Sequence, residues 1–362
     1  MRSVVIVLAL FAVASCASLP GQSMSPEEWY QQGVSFLKSR QYDEAIGAFS
    51  EAIELNPQYA EAYRNRGLAW AKKGEFNQAI SDYTKAVEMN PRDGQAYYNR
   101  GVAWTEKGDL EQAIADYNKA VEINPRDGQA HYNRGIAWSE KGEFKRGLTD
   151  AKKALSLEPE NKIFVGLVTA LQAKIASQGE DRFQQGLSFL EFGQYDEAIR
   201  AFSEAIELSP QYSEAYRNRG LAWAKKGEFD QAISDFTKAV EINPGDGQAY
   251  YNRGTVWAEK GALKWGLTDA EKALSLEPNN KTFQKLVTAV QGMIVAKKRN
   301  RFRQGASFLE SGKYNEAIKA FSDAIELSPQ YAEAYRNRGL AWAGKGELDR
   351  AISDYSTALK MN

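Results

Sequence analysis

The chain holds one cysteine and one histidine in 362 residues, Cys16 and His131. A disulfide framework is therefore excluded, and a zinc site built from His and Cys is nearly so. An excess of either charge is also missing. There are 46 basic and 47 acidic residues, for a net charge of -1. Without a basic excess to neutralise phosphates, nucleic acid is not an expected partner. The apolar run near the start, Val4 to Val13, is far short of the roughly 20 residues that cross a bilayer. No catalytic signature is present: with no strand pattern, no glycine-rich phosphate loop follows a strand. His131 stands where neighbouring repeats carry Tyr63 and Tyr97, so it reads as a packing residue. Glu51, Glu54, Glu88 and Glu122 fall on polar helix faces. No metal and no cofactor is implied, and an enzyme is only a remote alternative.

What the chain does have is a comb of prolines. Eight of its ten prolines are Pro57, Pro91, Pro125 and Pro159, then Pro210, Pro244 and Pro278, then Pro329. Within each group the spacing is 34 residues, and between groups it is 51. A fixed period of this length marks a stack of small similar units rather than a globule around one buried site. Nine units result: 26–59, 60–93, 94–127, 128–161, 179–212, 213–246, 247–280, 298–331 and 332–362. Numbered from 1 to 34, position 8 is always glycine, from Gly33 to Gly339, and position 27 is always alanine, from Ala52 to Ala358. Position 20 is alanine except at Gly147 and Gly266. Small residues at these places let two antiparallel helices approach closely, with large residues at positions 4, 11 and 24 alongside. Seven of the eight tryptophans stand at position 4 or 11. Proline at position 32 stops the second helix. Ser25, Pro26 and Glu28 form a capping box for the first helix.

This pattern resembles the tetratricopeptide repeat, a helix-turn-helix of 34 residues, over residues 26 to 362 apart from two inserts. The resemblance implies an all-α solenoid coiled as a right-handed superhelix: nine repeats in three blocks separated by two extra helices. It also implies binding of extended peptides or helices on the concave face, lined by the first helix of each unit. Position 5 there offers Arg64, Tyr98, Tyr132, Arg217, Tyr251 and Arg336. Such a strip suits a partner protein with apolar side chains and a few carboxylates; the alternative is that these positions close the packing between units. The lysine and asparagine of the family's carboxylate clamp are absent from positions 5 and 9. The last unit stops before its proline, so its outer face is expected to be exposed or covered by a partner.

Two kinds of unit occur. Six carry arginine at position 7 and aspartate at position 23: Arg66 with Asp82, Arg100 with Asp116, Arg134 with Asp150, Arg219 with Asp235, Arg253 with Asp269 and Arg338 with Asp354. Units one, five and eight carry Gln32, Gln185 and Gln304 with Ala48, Ala201 and Ala320. The two positions lie at similar heights on antiparallel helices, which predicts a half-buried ion pair inside each of the six units. Inserts 162–178 and 281–297 are each one amphipathic helix and lack the repeat's glycine and alanine. The second is expected to run on as one helix over about 281 to 310, whereas Gly179 makes a break likelier after the first. The domains expected are blocks 26–161, 179–280 and 298–362 with helices 162–178 and 281–297 between them.

The first residues have the layout of a secretory signal peptide, 1–15. Val13-Ala14-Ser15-Cys16 resembles a bacterial lipobox, which implies acyl chains on Cys16 and a polar tether up to residue 25. Ala17 in place of aspartate resembles outer-membrane sorting. Ordinary cleavage after Ala17, giving a soluble periplasmic or secreted protein, and an uncleaved anchor are the alternatives. The expected function is a non-enzymatic scaffold or adaptor of the bacterial cell envelope. Its partners would be other proteins, and it would meet the membrane through the lipid. The alternative is an assembly factor for a pilus or an outer-membrane complex.

Overall fold

The computed structural model describes residues 24–361; the signal segment, Cys16 and most of the tether lie outside them. Eighteen helices and no strand occur among the described residues. The first four repeats are α1 (Pro26–Lys38), α2 (Tyr42–Leu55), α3 (Ala60–Lys72), α4 (Phe76–Met89), α5 (Gly94–Glu106), α6 (Leu110–Ile123), α7 (Gly128–Glu140) and α8 (Phe144–Leu157). Next come α9 (Lys162–Glu191), α10 (Tyr195–Leu208), α11 (Ser213–Lys225), α12 (Phe229–Ile242), α13 (Gly247–Glu259) and α14 (Leu263–Leu276). The chain finishes with α15 (Lys281–Glu310), α16 (Tyr314–Leu327), α17 (Ala332–Gly344) and α18 (Leu348–Leu359). Two compact units result, one up to Lys174 and one from Ile175, so the division falls inside α9.

Each repeat is held by one close approach. A Cβ on Gly67 would come within 2.9 Å of the Tyr83 ring, and one on Gly101 within 2.8 Å of Tyr117. The ring at position 24 thus lies flat over the glycine at position 8, and Tyr83, Tyr117, Phe49 and Phe202 are fully buried there. The repeats before the inserts solve the same problem differently. They carry Ala151 and Ala270 at position 24, contrary to the large residue expected. Their helices close further instead, so a Cβ on Gly147 would meet the Gly135 carbonyl at 2.8 Å. The missing aromatic volume comes from the inserts. Phe164 and Phe283, each 1% exposed, stack on Tyr132 and Tyr251 at 5.1 and 5.3 Å.

The capping box of α1 is formed: Ser25 Oγ accepts from the Glu28 amide and Glu28 accepts from the Ser25 amide at 2.7 Å. The turn between paired helices needs a left-handed residue at position 15, where eight glycines have φ between 69° and 83°. Arg40 holds the same conformation with a side chain, φ 61°, at a cost of about 1 kcal/mol or more. α15 is a single helix of 30 residues. So is α9, which corrects the break expected at Gly179. A Cβ on that glycine would meet Ser209 Oγ at 3.1 Å, so Gly179 provides a close approach to the end of α10 rather than a hinge.

Candidate functional site

The six arginines of position 7 are gripped from two repeats at once. Within its own repeat each guanidinium makes a two-pronged contact to the aspartate. Arg66 Nε and Nη2 meet Asp82 at 2.8 Å, and Arg134 Nε and Nη2 meet Asp150 at 2.7 and 2.6 Å. Arg100–Asp116, Arg219–Asp235, Arg253–Asp269 and Arg338–Asp354 all stand at 2.7 Å. The aspartates are buried and the arginines are mostly so. The hydrogen bond to aspartate holds the Arg66, Arg100 and Arg338 guanidinium groups above their usual range. The remaining nitrogen, Nη1, reaches back to the preceding repeat. It donates to Ser50, Thr84, Asn118, Ser203, Thr237 or Ser322, at 2.8 to 3.0 Å. All six acceptors occupy position 25. The six repeats that carry the pair are those that directly follow another repeat; repeats one, five and eight do not. The row is therefore mortar between repeats, not an open anion site.

His131 belongs to the same network. Its Nδ1 lies 3.2 Å from Asp150 and its Nε2 lies 3.2 Å from the Pro125 carbonyl, in a buried place. The tyrosine at that position in other repeats lies under the arginine instead, as Tyr63 does under Arg66 at 5.4 Å.

Of the six position-5 residues, five are engaged at joints. Arg64 Nη1 meets Asp93 at 2.7 Å and Arg217 Nη1 meets Asp246 at 3.5 Å. Tyr98 accepts from Asn133 Nδ2 at 3.0 Å, and burial pushes its phenol up. Tyr132 and Tyr251 lie against the insert phenylalanines. Arg336 alone is exposed, beside Tyr355 and Leu359 in an open cleft of about 260 Å³. Leu348, Ile352 and Leu359 of α18 also stand open to solvent.

A groove runs between the first helices α3 and α5, with a volume of about 340 Å³. Its apolar floor is Leu68, Ala71 and Val102, Asn99 lies beside Tyr98, and Lys72 and Glu106 stand at its edge. Leu68 and Val102 occupy position 9 of their repeats, Ala71 occupies position 12, and Lys72 and Glu106 occupy position 13. Such a groove takes an apolar side chain from an extended segment and offers one charge of each sign beside it.

Known proteins carry the same pattern. A family model described as tetratricopeptide repeat matches residues 71–128, 183–247 and 224–279. A second, described as TPR repeat, matches 33–74 and 305–346. Together they take in more than half of the chain. Two curated proteins are similar over short stretches. One is a probable UDP-N-acetylglucosamine–peptide N-acetylglucosaminyltransferase SEC of Arabidopsis thaliana, 38% identical over 55 residues, which are 15% of this chain and 6% of that protein. The other is tetratricopeptide repeat protein 36 of Caenorhabditis elegans, 32% identical over 59 residues, 16% of this chain and 33% of that protein. The chain therefore spans at most a third of the length of either. Among solved structures, a tetratricopeptide repeat protein from Parabacteroides merdae is 21% identical with a TM-score of 0.38, over 74% of this chain and 100% of that one. The TPR2AB domain of yeast Sti1, in a complex with pHSP90, is 23% identical with a TM-score of 0.38, over 74% and 98%. From its helix pairs, its period and the two family-model matches, the chain belongs to the tetratricopeptide-repeat family.

Proposed function

We propose that this protein is a non-enzymatic scaffold of the bacterial cell envelope, which holds peptide or helical segments of partner proteins along its first helices. The observation that carries the reading is the groove between α3 and α5: an apolar floor with Lys72 and Glu106, one charge of each sign, at the edge. The likeness to the Arabidopsis transferase is confined to 55 residues and to 6% of that protein, and it lends no support to a catalytic role. The lipobox-like Val13-Ala14-Ser15-Cys16 supports export and anchoring through acyl chains on Cys16, with outer-membrane sorting. A tether of this length would keep the repeats near the membrane surface.

A photoreactive side chain placed at Val102 in living cells tests the scaffold. The same partner should be trapped from Val102 and from Leu68, and not from the outward-facing Lys119. Trapping that ignores position would refute the groove. Palmitate labelling of the wild type and of Cys16→Ser tests the anchor independently, since equal labelling would rule out acylation at Cys16.

A further inference from the structure

A second surface stands apart from the first-helix groove. Trp265 is the one tryptophan outside positions 4 and 11. It occupies position 19, on the first turn of α14, and its side chain is 67% exposed. At this position repeats four and nine carry Arg146 and Arg350, whose guanidinium groups fold over Trp138 and Trp342 at 4.8 and 4.7 Å. In repeat seven an indole replaces that arginine lid. Trp265 leans on Trp257, ring centres 6.3 Å apart, and leaves most of its surface open to water.

Trp265 forms one wall of a cleft of about 340 Å³, which the insert creates by parting α14 from α16. The cleft lies wholly within the second compact unit. Lys264 stands beside the indole, Lys297 and Arg301 of α15 form the floor, and Asp323 and Glu326 of α16 form the far wall. The charges do not balance. Arg301 pairs with Asp323 at 3.4 Å and Lys264 with Glu326 at 3.9 Å. Among the described residues Lys297 donates to the Gly261 carbonyl, at 3.2 Å, and meets no carboxylate. One ammonium charge is thus left over beside an open indole.

The geometry points to a docking cleft for a segment of a partner protein that carries an aspartate or glutamate next to an apolar side chain. The apolar group covers the Trp265 indole and the carboxylate answers Lys297. Tryptophan is the residue type most often found to dominate such contacts, and a carboxylate supplies the one charge that the cleft lacks. This site does not depend on the α3–α5 groove, and one protein can use both.

Selection from a library of random peptides displayed on phage, panned on the full chain after depletion on Trp265→Ala, tests this. Trp265→Ala and Trp265→Arg both change an exposed side chain, and arginine is what sister repeats carry there, so helical circular dichroism should not change. Surviving peptides should place Asp or Glu beside an aromatic or aliphatic residue. The strongest, labelled with fluorescein and titrated by anisotropy, should lose about tenfold or more in affinity with Trp265→Ala. It should lose about fivefold with Lys297→Gln. With Val102→Lys, in the other groove, it should lose nothing. The proposal is overturned if depletion leaves no enriched peptide, or if survivors are rich in Lys and Arg. It also fails if Lys297→Gln binds like the wild type, if Val102→Lys abolishes binding, or if a short oligothymidylate displaces the peptide equally well, which would make the surface a polyanion site.

Discussion

α9 and α15 are each 30 residues long and begin with the same task, yet they end with opposite charge. Their first halves place Phe164 and Phe283 on Tyr132 and Tyr251 in nearly the same geometry. Their second halves differ. Where α9 has Gln178, Gly179, Glu180 and Gln184, α15 has Lys297, Lys298, Arg299 and Arg303. Glu180 accepts a hydrogen bond from the Tyr212 hydroxyl at 2.6 Å, as Glu27 does from Tyr59 at 2.7 Å in the first repeat. Arg299 stands at that position in α15, and Tyr331 instead lies under Lys298 at 4.6 Å. The lesson is a division of labour. The packed half cannot vary, because a close-packed interior registers every change of volume. The wetted half can change sign, because exposed charges contribute little to stability.

The largest effect should come from the shared half. Phe164→Ala and Phe283→Ala should each cost about 3–5 kcal/mol in urea denaturation. A full loss at one and under about 1 kcal/mol at the other would break the equivalence of the two helices. Next come the repeats in front of them. Arg253→Ala strands buried Asp269 and should cost about 3 kcal/mol. Arg253→Gln combined with Asp269→Ala, the pattern of the repeats that follow the inserts, should recover most of it. A double variant as unstable as the single one would show that the pairing is not what matters. A charge exchange at the wetted half should be smaller and of opposite sign in the two helices. Arg299→Glu restores an acceptor for Tyr331 and should raise the melting point. Glu180→Arg should lower it, each change being worth less than about 1 kcal/mol of stability. Equal shifts in one direction would remove the hydrogen bond as the cause.

The smallest effect concerns the helix starts. The hydrogen bond from the Ser25 amide holds the Glu28 carboxyl below its usual range. A lowered folded value means that its contribution is complete above the ordinary carboxylate range and fades as the pH falls through the folded value. α15 is capped instead by Asn280, which accepts from the Thr282 and Phe283 amides at 3.0 and 3.3 Å and does not titrate. The protection of the amides at the start of α1, relative to their intrinsic exchange rates, should therefore fall in acid while that at the start of α15 does not.

Much of this was legible in residue order. The period, the turn at position 15 and the Arg–Asp pairs follow from small residues and charges that recur at fixed intervals. The third contact of each arginine was not legible. Ser50, Thr84 and Asn118 differ in type, and only their common height against the next repeat unites them. The role of position 5 was left open by the sequence for a related reason. Arg64 and Arg217 look like free cations along the chain, but Asp93 and Asp246 come to them only when the repeat closes. Gly179 misled because glycine suggests a break from sequence alone, whereas here a neighbouring helix end uses the space a side chain would fill.

By itself the sequence determined the helix pairs, their period and the two phase slips, because local capping, turn and packing rules act within one repeat. Tertiary structure alone decided which side chains remain free. Whether Arg64 is spent on a joint, Arg336 is exposed or Trp265 is left without a lid depends on what the next helix brings within hydrogen-bonding or van der Waals reach.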